Sequence, residues 1–435
     1  MNKKIVIIGA GVAGINAATT LIDNGYPGNL ITIIDKGNCP NTRKPEEVMT
    51  GMLGAGGWSD GKLTYHTAIG GQLSKYCGED KAMELMDQVI SNFRRFHPKP
   101  EEIFCSDPQE EPDFIKPYFG LRMFPVWHIG SNYLHEIAKN WYQHLINHGV
   151  RFKWNTEVLD INFKNYSIWF EGGQMFYDVL IFGVGKSGID FTQQLSNKYK
   201  LPTEPKSVQI GVRFEAPQKY FQRLIDISYD FKLYQKFDNV SLRSFCTNNN
   251  AAYVAVEETY GDISYNGHAK KGEQYRNDMT NFGILMEIKG IEDPFKWSRD
   301  VVQKCQLETI PGQGFDWKSG LYYSPNETRK PTLTSEGEPI KCVRPDGLDT
   351  VKEAFQGHFE YIETFIDNMN SVFNFGDDWG MYIPEVKYLS PEPLVNYSNL
   401  ALTDYPNVYF VGDALSARGI TVSGAQGIYV AKSLL

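Results

Sequence analysis

The sequence predicts an α/β fold built on a dinucleotide-binding βαβ unit, and three stretches carry that prediction. The first is Lys3-Lys4-Ile5-Val6-Ile7-Ile8-Gly9-Ala10-Gly11-Val12-Ala13-Gly14, followed by a helical stretch to about Asn24 and a second apolar run, Leu30–Ile34, ending on Asp35. The second is the apolar run Tyr177–Phe182 leading into Gly183-Val184-Gly185-Lys186-Ser187-Gly188. The third is Asn407–Val411, followed by Gly412-Asp413-Ala414 and a small-residue helix from about Thr421 to Leu434.

In the opening unit each glycine has its own reason. Gly9 permits the tight turn, Gly11 lets a pyrophosphate approach the backbone, and Gly14 lets helix and strand pack closely. The helix N-terminus offers unpaired N–H groups and a positive dipole end to phosphate. Asp35, 21 residues after Gly14, is placed to accept hydrogen bonds from an adenosine ribose. A lone glycine fingerprint is weak, but strand, turn, helix, strand and acid in this order indicate a dinucleotide without saying which.

After a polar, Pro-containing link (36–47) comes Met49–Leu63, with five glycines in fifteen residues. A flexible linker does not usually carry Met, Leu and Trp between its glycines, so the stretch predicts a backbone running close to a ligand. Helices are predicted over Glu79–Phe96 and Ser131–His148, with a Pro-rich acidic loop between them (Pro98 to Pro117). His144 and His148 lie one helical turn apart. Without a third ligand they predict a helix C-terminus rather than a metal pair, and Gly149 caps it.

Strands follow over 150–154, 158–161 and 167–170. The turn Gly183–Gly188 formally repeats the fingerprint, but no apolar strand ending in an acid comes about twenty residues later. The chain reaches Pro202, Pro205 and Val208 instead, so a separate nicotinamide domain is not predicted. Val208–Phe214 and Ala252–Val256 read as strands, and Val351–Phe373 as an amphipathic helix.

At 435 residues the chain has room for two or three domains. A net charge of −9 argues against a broad grip on nucleic acid, and Arg43-Lys44, Arg94-Arg95 and Lys270-Lys271 read as isolated pairs on a solvated surface. The six cysteines are scattered, without CxxC or zinc spacing. They predict reduced thiols in a cytoplasmic protein with no metal site. No run approaches the ~20 apolar residues of a membrane span. Aromatic residues make up 14%, which suits either large cores or walls for a flat ring ligand.

Three separated nucleotide-type motifs resemble the glutathione-reductase-like class of FAD flavoproteins. The chain is most similar to a family of FAD-dependent dehydrogenases of unknown substrate, through Gly54-Ala55-Gly56 with Ser59-Asp60-Gly61-Lys62-Leu63 (a GAG-x-x-SDGKL segment). Phe182–Asp190, Phe245-Cys246, Tyr253-Val254, Asn266-Gly267, Gly272-Glu273, and Gly412-Asp413 with Gly419-Ile420 extend the resemblance nearly end to end. A Cys-x-Cys-Pro-Gly-Gly turn common in that family is replaced here by Cys246-Thr247-Asn248-Asn249-Asn250-Ala251, which speaks against a thiol role there.

The resemblance implies extended FAD in a discontinuous Rossmann-like domain (1–67, 148–190 and 386–435), with a helical insertion (68–147) and an inserted α+β substrate domain (191–385). From motifs and resemblance together, the expected cofactor-binding set is Gly9, Gly11, Ala13, Gly14, Asp35, Lys36, Gly54, Ala55, Gly56, Ser59, Gly61, Lys62, Val158, Gly183, Gly185, Gly412, Asp413, Gly419 and Ile420. Arg418 is the candidate catalytic residue, stabilising negative charge at the flavin N1 edge or on a substrate carboxylate.

The activity expected is hydride transfer between a small-molecule substrate and flavin N5, with NADH or NADPH at most a transient partner. Two alternatives stay open: a flavin-dependent enzyme modifying a nucleobase in tRNA or DNA, and a non-catalytic flavin-binding protein.

Overall fold

The computed structural model describes residues 3–44, 47–204, 208–259, 261–269, 273–308, 318–334, 337–388 and 392–435. Lys270-Lys271, Gly272 and Pro205 therefore lie outside the described residues. The chain divides into two compact units: residues 1–105, 125–205 and 390–435 form the first, and residues 106–124 and 206–389 the second. The stretch 106–124, expected within a helical insertion, thus belongs with the second unit. Its strand Gly120–Arg122 pairs there with Lys232–Lys236.

The first unit is an α/β layer structure. Strand β1 (Ile5–Ile8) leads through the glycine turn into helix α1 (Val12–Asp23) and strand β2 (Ile31–Ile34). Helices α2 (Glu79–Phe96) and α3 (Leu134–Asn147) precede strand β3 (Arg151–Lys153). A three-stranded antiparallel sheet spanning 158–176 leads to strand β4 (Val179–Phe182), then helix α4 (Ile189–Tyr199). Strand β5 (Tyr405–Phe410) and helix α5 (Ile420–Leu434) complete the unit.

The main sheet runs β3-β2-β1-β4-β5, all parallel, with Ala401–Leu402 antiparallel on the β5 edge. β1 lies at the centre, Ile5–Ile8 in register with Ile31–Ile34 on one side and Val179–Phe182 on the other. All four of its residues are buried, as they are in β2 and β4, so these strands read as continuous apolar runs rather than alternating ones.

The helices of this unit pack through small residues and a few polar ties. A Cβ at Gly427 of α5 would stand 2.0 Å from the carbonyl oxygen of Ala13 in α1, which only glycine allows. Asn92 of α2 donates to Asn16 of α1 (2.8 Å), and the Trp141 indole of α3 donates to Thr19 (2.7 Å). Both pairs are buried, and leaving either partner unmatched would cost more than the bond contributes.

The second unit is built on an antiparallel sheet in which Val208–Pro217 pairs with Met279–Ile288 on one side and Gly380–Lys387 on the other. Val240–Asn250 continues beyond Met279–Ile288, with a bulge between Phe245 and Asn248. A hairpin, Ala252–Thr259 with Asp262–Ala269, sets Tyr253 opposite His268.

The interior of this unit is unusually polar. Arg213 and Glu385 form an ion pair at 2.7 Å with no exposed side-chain surface on either residue. Arg213 also donates to Asn266 Oδ1 and the Cys246 carbonyl, both at 3.1 Å. Glu215 accepts from Thr332 (2.7 Å) and Tyr382 (3.0 Å), and burial pushes its carboxyl above the usual range.

Phe214, Phe221, Phe282, Phe373 and Phe375 cluster in the core of the same unit. The single helix expected over Val351–Phe373 is two, Asp349–Ala354 and Phe359–Phe373. The break falls at Gln356 and Gly357, which adopt φ of 51° and 83°.

At the C-terminal end of α3, Arg95 Nη2 lies 3.3 Å from His144 Nε2, with Asp23 Oδ1 at 3.6 Å and the His148 ring against it. Burial, then the Arg95 charge, lowers the His144 pKa. The folded state therefore binds fewer protons there than the unfolded one, so stability is full above the ordinary histidine pKa and is lost as pH falls below it. The melting temperature should fall between about pH 7 and about pH 5. His144→Gln should flatten that slope, and an unchanged slope in the variant would remove His144 as its source.

Candidate functional site

At the carboxyl ends of the central parallel strands the first unit encloses a cavity of about 310 Å³, within the range of small-molecule sites. Ile8 of β1, Ile34 of β2, Gly183 after β4 and Gly412 after β5 all line it. This is where the order of an open parallel sheet reverses about β1, and such crevices receive ligands.

The turns meet because they carry no side chains. Gly9 has φ of +100°, and a Cβ there would come within 2.2 Å of the Gly183 carbonyl oxygen. Gly14 is needed for the same kind of reason, its Cβ falling 2.3 Å from Gly9 O. Gly11 differs. Its φ is an ordinary −67°, and the nearest protein atom to an added Cβ is Gly183 O at 4.0 Å. Glycine at 11 is thus not required by packing; it keeps cavity space clear.

Three helices start at this cavity behind glycine N-caps without a side-chain cap: α1 behind Gly11, α4 behind Gly188 and α5 behind Gly419. The first turns of α1 and α5 hold no acidic residue, whereas α4 carries Asp190. Backbone N–H groups and positive dipole ends left uncapped at a concave surface suit an anion. Lys36 and Lys186 add side-chain charge to the wall. Lys36 Nζ reaches Ser187 O at 3.3 Å and Glu157 at 4.0 Å.

Asp35 has a further task. Its Oδ2 accepts from Ala10 N at 2.8 Å, and its Oδ1 from Gly37 N at 2.7 Å and Gly51 N at 2.8 Å. The carboxylate ties the first turn and the end of β2 to the glycine-rich stretch.

Of the expected set, the cavity wall brings together Gly9, Gly11, Ala13, Asp35, Lys36, Gly54, Ala55, Gly56, Ser59, Val158, Gly183, Gly185, Gly412, Asp413, Gly419 and Ile420. Four expected residues are not on it. Gly14 packs under the first turn, and Gly61 lies against the Gly130 backbone, which leaves no room for a Cβ. Lys62 is nearly buried, its side chain 7% exposed, and pairs with Asp60 at 2.8 Å. Arg418 stands behind Asp413, its Nε 3.9 Å from Asp413 Oδ1.

Other wall residues went unforeseen, among them Thr156, Glu157, Ser187 and Ser423, whereas Thr50 and Leu53 fall in the glycine-rich stretch expected to run close to a ligand. The backbone signal that could have found Thr156 and Glu157 is their place just past β3, the next strand in the sheet.

Arg43 overturns its reading as a solvated surface residue. It is buried, and its guanidinium donates to the carbonyls of Glu47, Val48, Met52 and Gly54. Burial lowers its pKa to about 10, against the charges of Asp35 and Glu47, and it remains a cation at neutral pH.

Asp35→Ala should free three backbone N–H groups and lower stability by about 2 kcal/mol. Amide exchange should quicken at Ala10, Gly37 and Gly51, with Asp35→Asn intermediate because one acceptor oxygen remains. Exchange unchanged at all three amides would contradict the tie.

No protein-family model matches the chain, and no curated protein matches it. Among solved structures it is similar to CmlS, a flavin-dependent halogenase, at 10% identity over all of this chain and 58% of that one, with a TM-score of 0.44. It is also similar to a flavoprotein/dehydrogenase from Cytophaga hutchinsonii (12% identity, 99% of this chain and 77% of that one, TM-score 0.43). A third similarity is to a salicylate hydroxylase (10% identity, 98% and 76%, TM-score 0.40). The chain spans less than two thirds of the halogenase's length, and with scores below 0.5 function must be read from the cavity itself.

Proposed function

We propose that the first unit binds FAD in an extended form and that the protein is an FAD-dependent oxidoreductase acting on a small molecule. The observation that carries this reading is the convergence of three glycine turns, from the start, middle and end of the chain, on one cavity with three uncapped helix N-termini. A mononucleotide needs one such turn. Several turns along one cavity suit a ligand with an adenosine, a pyrophosphate and a second ring system.

The residues present fit that ligand. Gly11 leaves room for the pyrophosphate beside the α1 N-terminus, where Gly185 also lacks a neighbour within 4 Å of a Cβ. Asp35, Lys36, Thr156 and Val158 lie at the end of the wall nearest β2 and β3 and would hold the adenosine. Gly412, Asp413, Gly419 and Ile420 would hold the far portion, with the α5 N-terminus placed for negative charge. Arg418, 3.9 Å from Asp413, remains the proposed catalytic residue, stabilising negative charge at the flavin N1 edge or on a substrate carboxylate.

When bound, FAD supplies two-electron hydride chemistry, and the protein supplies position and electrostatics. The second unit is proposed as the substrate domain, and NADH or NADPH as a transient electron donor.

Gly11→Val should fold with a circular dichroism spectrum like that of the unmutated protein, yet purify without flavin. Gly9→Val should fail to fold, because its side chain meets backbone. A Gly11→Val protein that still releases FAD on denaturation would sink the assignment.

Mixing the flavin-loaded protein with NADH and then NADPH without oxygen, while following flavin absorbance, tests the direction of electron flow. Rapid bleaching is expected of a reductase fed by nicotinamide. Bleaching by dithionite alone would remove the nicotinamide proposal and direct the search to oxidisable substrates.

A further inference from the structure

Arg43 does not line the cavity, yet it holds the far side of the wall that does. The guanidinium donates from Nη1 to Met52 O (2.6 Å), from Nη2 to Gly54 O (2.8 Å), Glu47 O (2.9 Å) and Val48 O (3.1 Å), and from Nε to Glu47 O (3.1 Å). The Trp58 ring lies 5.5 Å from its carbon. Among the described residues no carboxylate forms an ion pair with it within 4.0 Å, so its direct partners are backbone carbonyls.

Two of those carbonyls flank Leu53. Leu53 has φ of +63°, a left-handed conformation that a branched side chain adopts only under constraint. Its N–H donates to Ala10 O at 2.8 Å, and it bridges to Gly11. Met49, Thr50, Leu53 and Gly54 present the opposite side of this loop to the cavity. A Cβ at Gly57 would lie 2.8 Å from Arg43 Nη1 and 3.0 Å from Met52 O, so glycine there leaves the guanidinium its place.

Four carbonyl dipoles pointing at one another repel unless a donor stands between them. A planar fork with five N–H groups can serve them, whereas an ammonium with three cannot in this geometry. The loop is therefore gripped twice, Asp35 taking the N–H of Gly51 and Arg43 the carbonyls of Met52 and Gly54.

We propose that Arg43 is a positioning residue of the dinucleotide site: without touching the ligand, it locks the strained Leu53 turn against Gly11 and thereby sets the affinity for the adenosine pyrophosphate. This rests on the reading of the cavity as a dinucleotide site.

The test compares the unmutated flavin-free protein with Arg43→Lys and Arg43→Met, using ADP and then FAD as calorimetric probes. Amide exchange at Leu53 and Gly54 is measured without ligand. Both variants should weaken ADP and FAD by about tenfold or more and quicken exchange at Leu53, and Lys should not restore wild-type affinity.

A lower melting temperature with unchanged ADP affinity would mean that Arg43 only supports the fold, and would overturn the proposal. Full affinity in Arg43→Lys would overturn the need for a fork. If Arg43→Met does not fold, Arg43→Lys alone decides between these outcomes. An unmutated protein that binds neither ADP nor FAD would instead overturn the dinucleotide reading itself, and the proposal with it.

Discussion

The first unit depends on backbone meeting backbone. Gly9 and Gly183 terminate neighbouring strands, and the distance from an added Gly9 Cβ to Gly183 O would be 2.2 Å. Gly14 against Gly9 O and Gly427 against Ala13 O repeat that closeness at 2.3 and 2.0 Å. These contacts seat α1 under the first turn and α5 against α1. They separate two uses of glycine that look identical in a sequence. At 9, 14 and 427 the missing side chain serves the protein's own packing, whereas at 11 it serves whatever enters the cavity.

The second unit solves the opposite problem, keeping polar groups inside a broad sheet. The Arg213–Glu385 pair is wholly buried, so its mutual attraction is offset by the cost of desolvating both ions. The guanidinium also donates to Asn266 Oδ1 and the Cys246 carbonyl, so both of its terminal nitrogens find acceptors in the interior. Gly267 makes room for the head groups, because a Cβ there would stand 2.1 Å from Asn248 Nδ2 and 2.7 Å from Arg213 Nη1. The aromatic surplus belongs largely to cores such as this one. Along the cavity of the first unit Phe191 is the sole aromatic among the described lining residues.

The opening βαβ unit was legible because its information is local, with strand, turn, helix and acid lying within the first 35 positions. The helix Glu79–Phe96 was legible for the same reason, a helical pattern running up to the loop that begins at Pro98. What stayed hidden depends on distant partners. For Lys62 the sequence allowed either a cofactor contact or a carboxylate partner, and only the fold shows Asp60, two positions away, paired with it. Arg43 seemed superficial beside exposed Lys44, and nothing in its neighbours' identity announces four converging carbonyls. Met279–Ile288 is a central strand, yet Asn281 and Gly283 interrupt its apolar pattern. Both are explained only by what lies across the sheet, Asn281 by Tyr253 O and Arg213, Gly283 by the Phe245 ring.

The sheet order carries a consequence for the chain's birth. β1 and β2 are made before Val179–Phe182, so β1 acquires its second neighbour only once that later strand exists. The packing partner of α1, helix Ile420–Leu434, follows some 400 positions later. Until then the apolar flank of α1 and the first glycine turn have only half of their surroundings. Synthesis of this segment and completion of its packing are therefore separated by the whole of the intervening chain. The cavity is complete only once all of its turns, from Gly9 through Gly183 to Gly412, have been made.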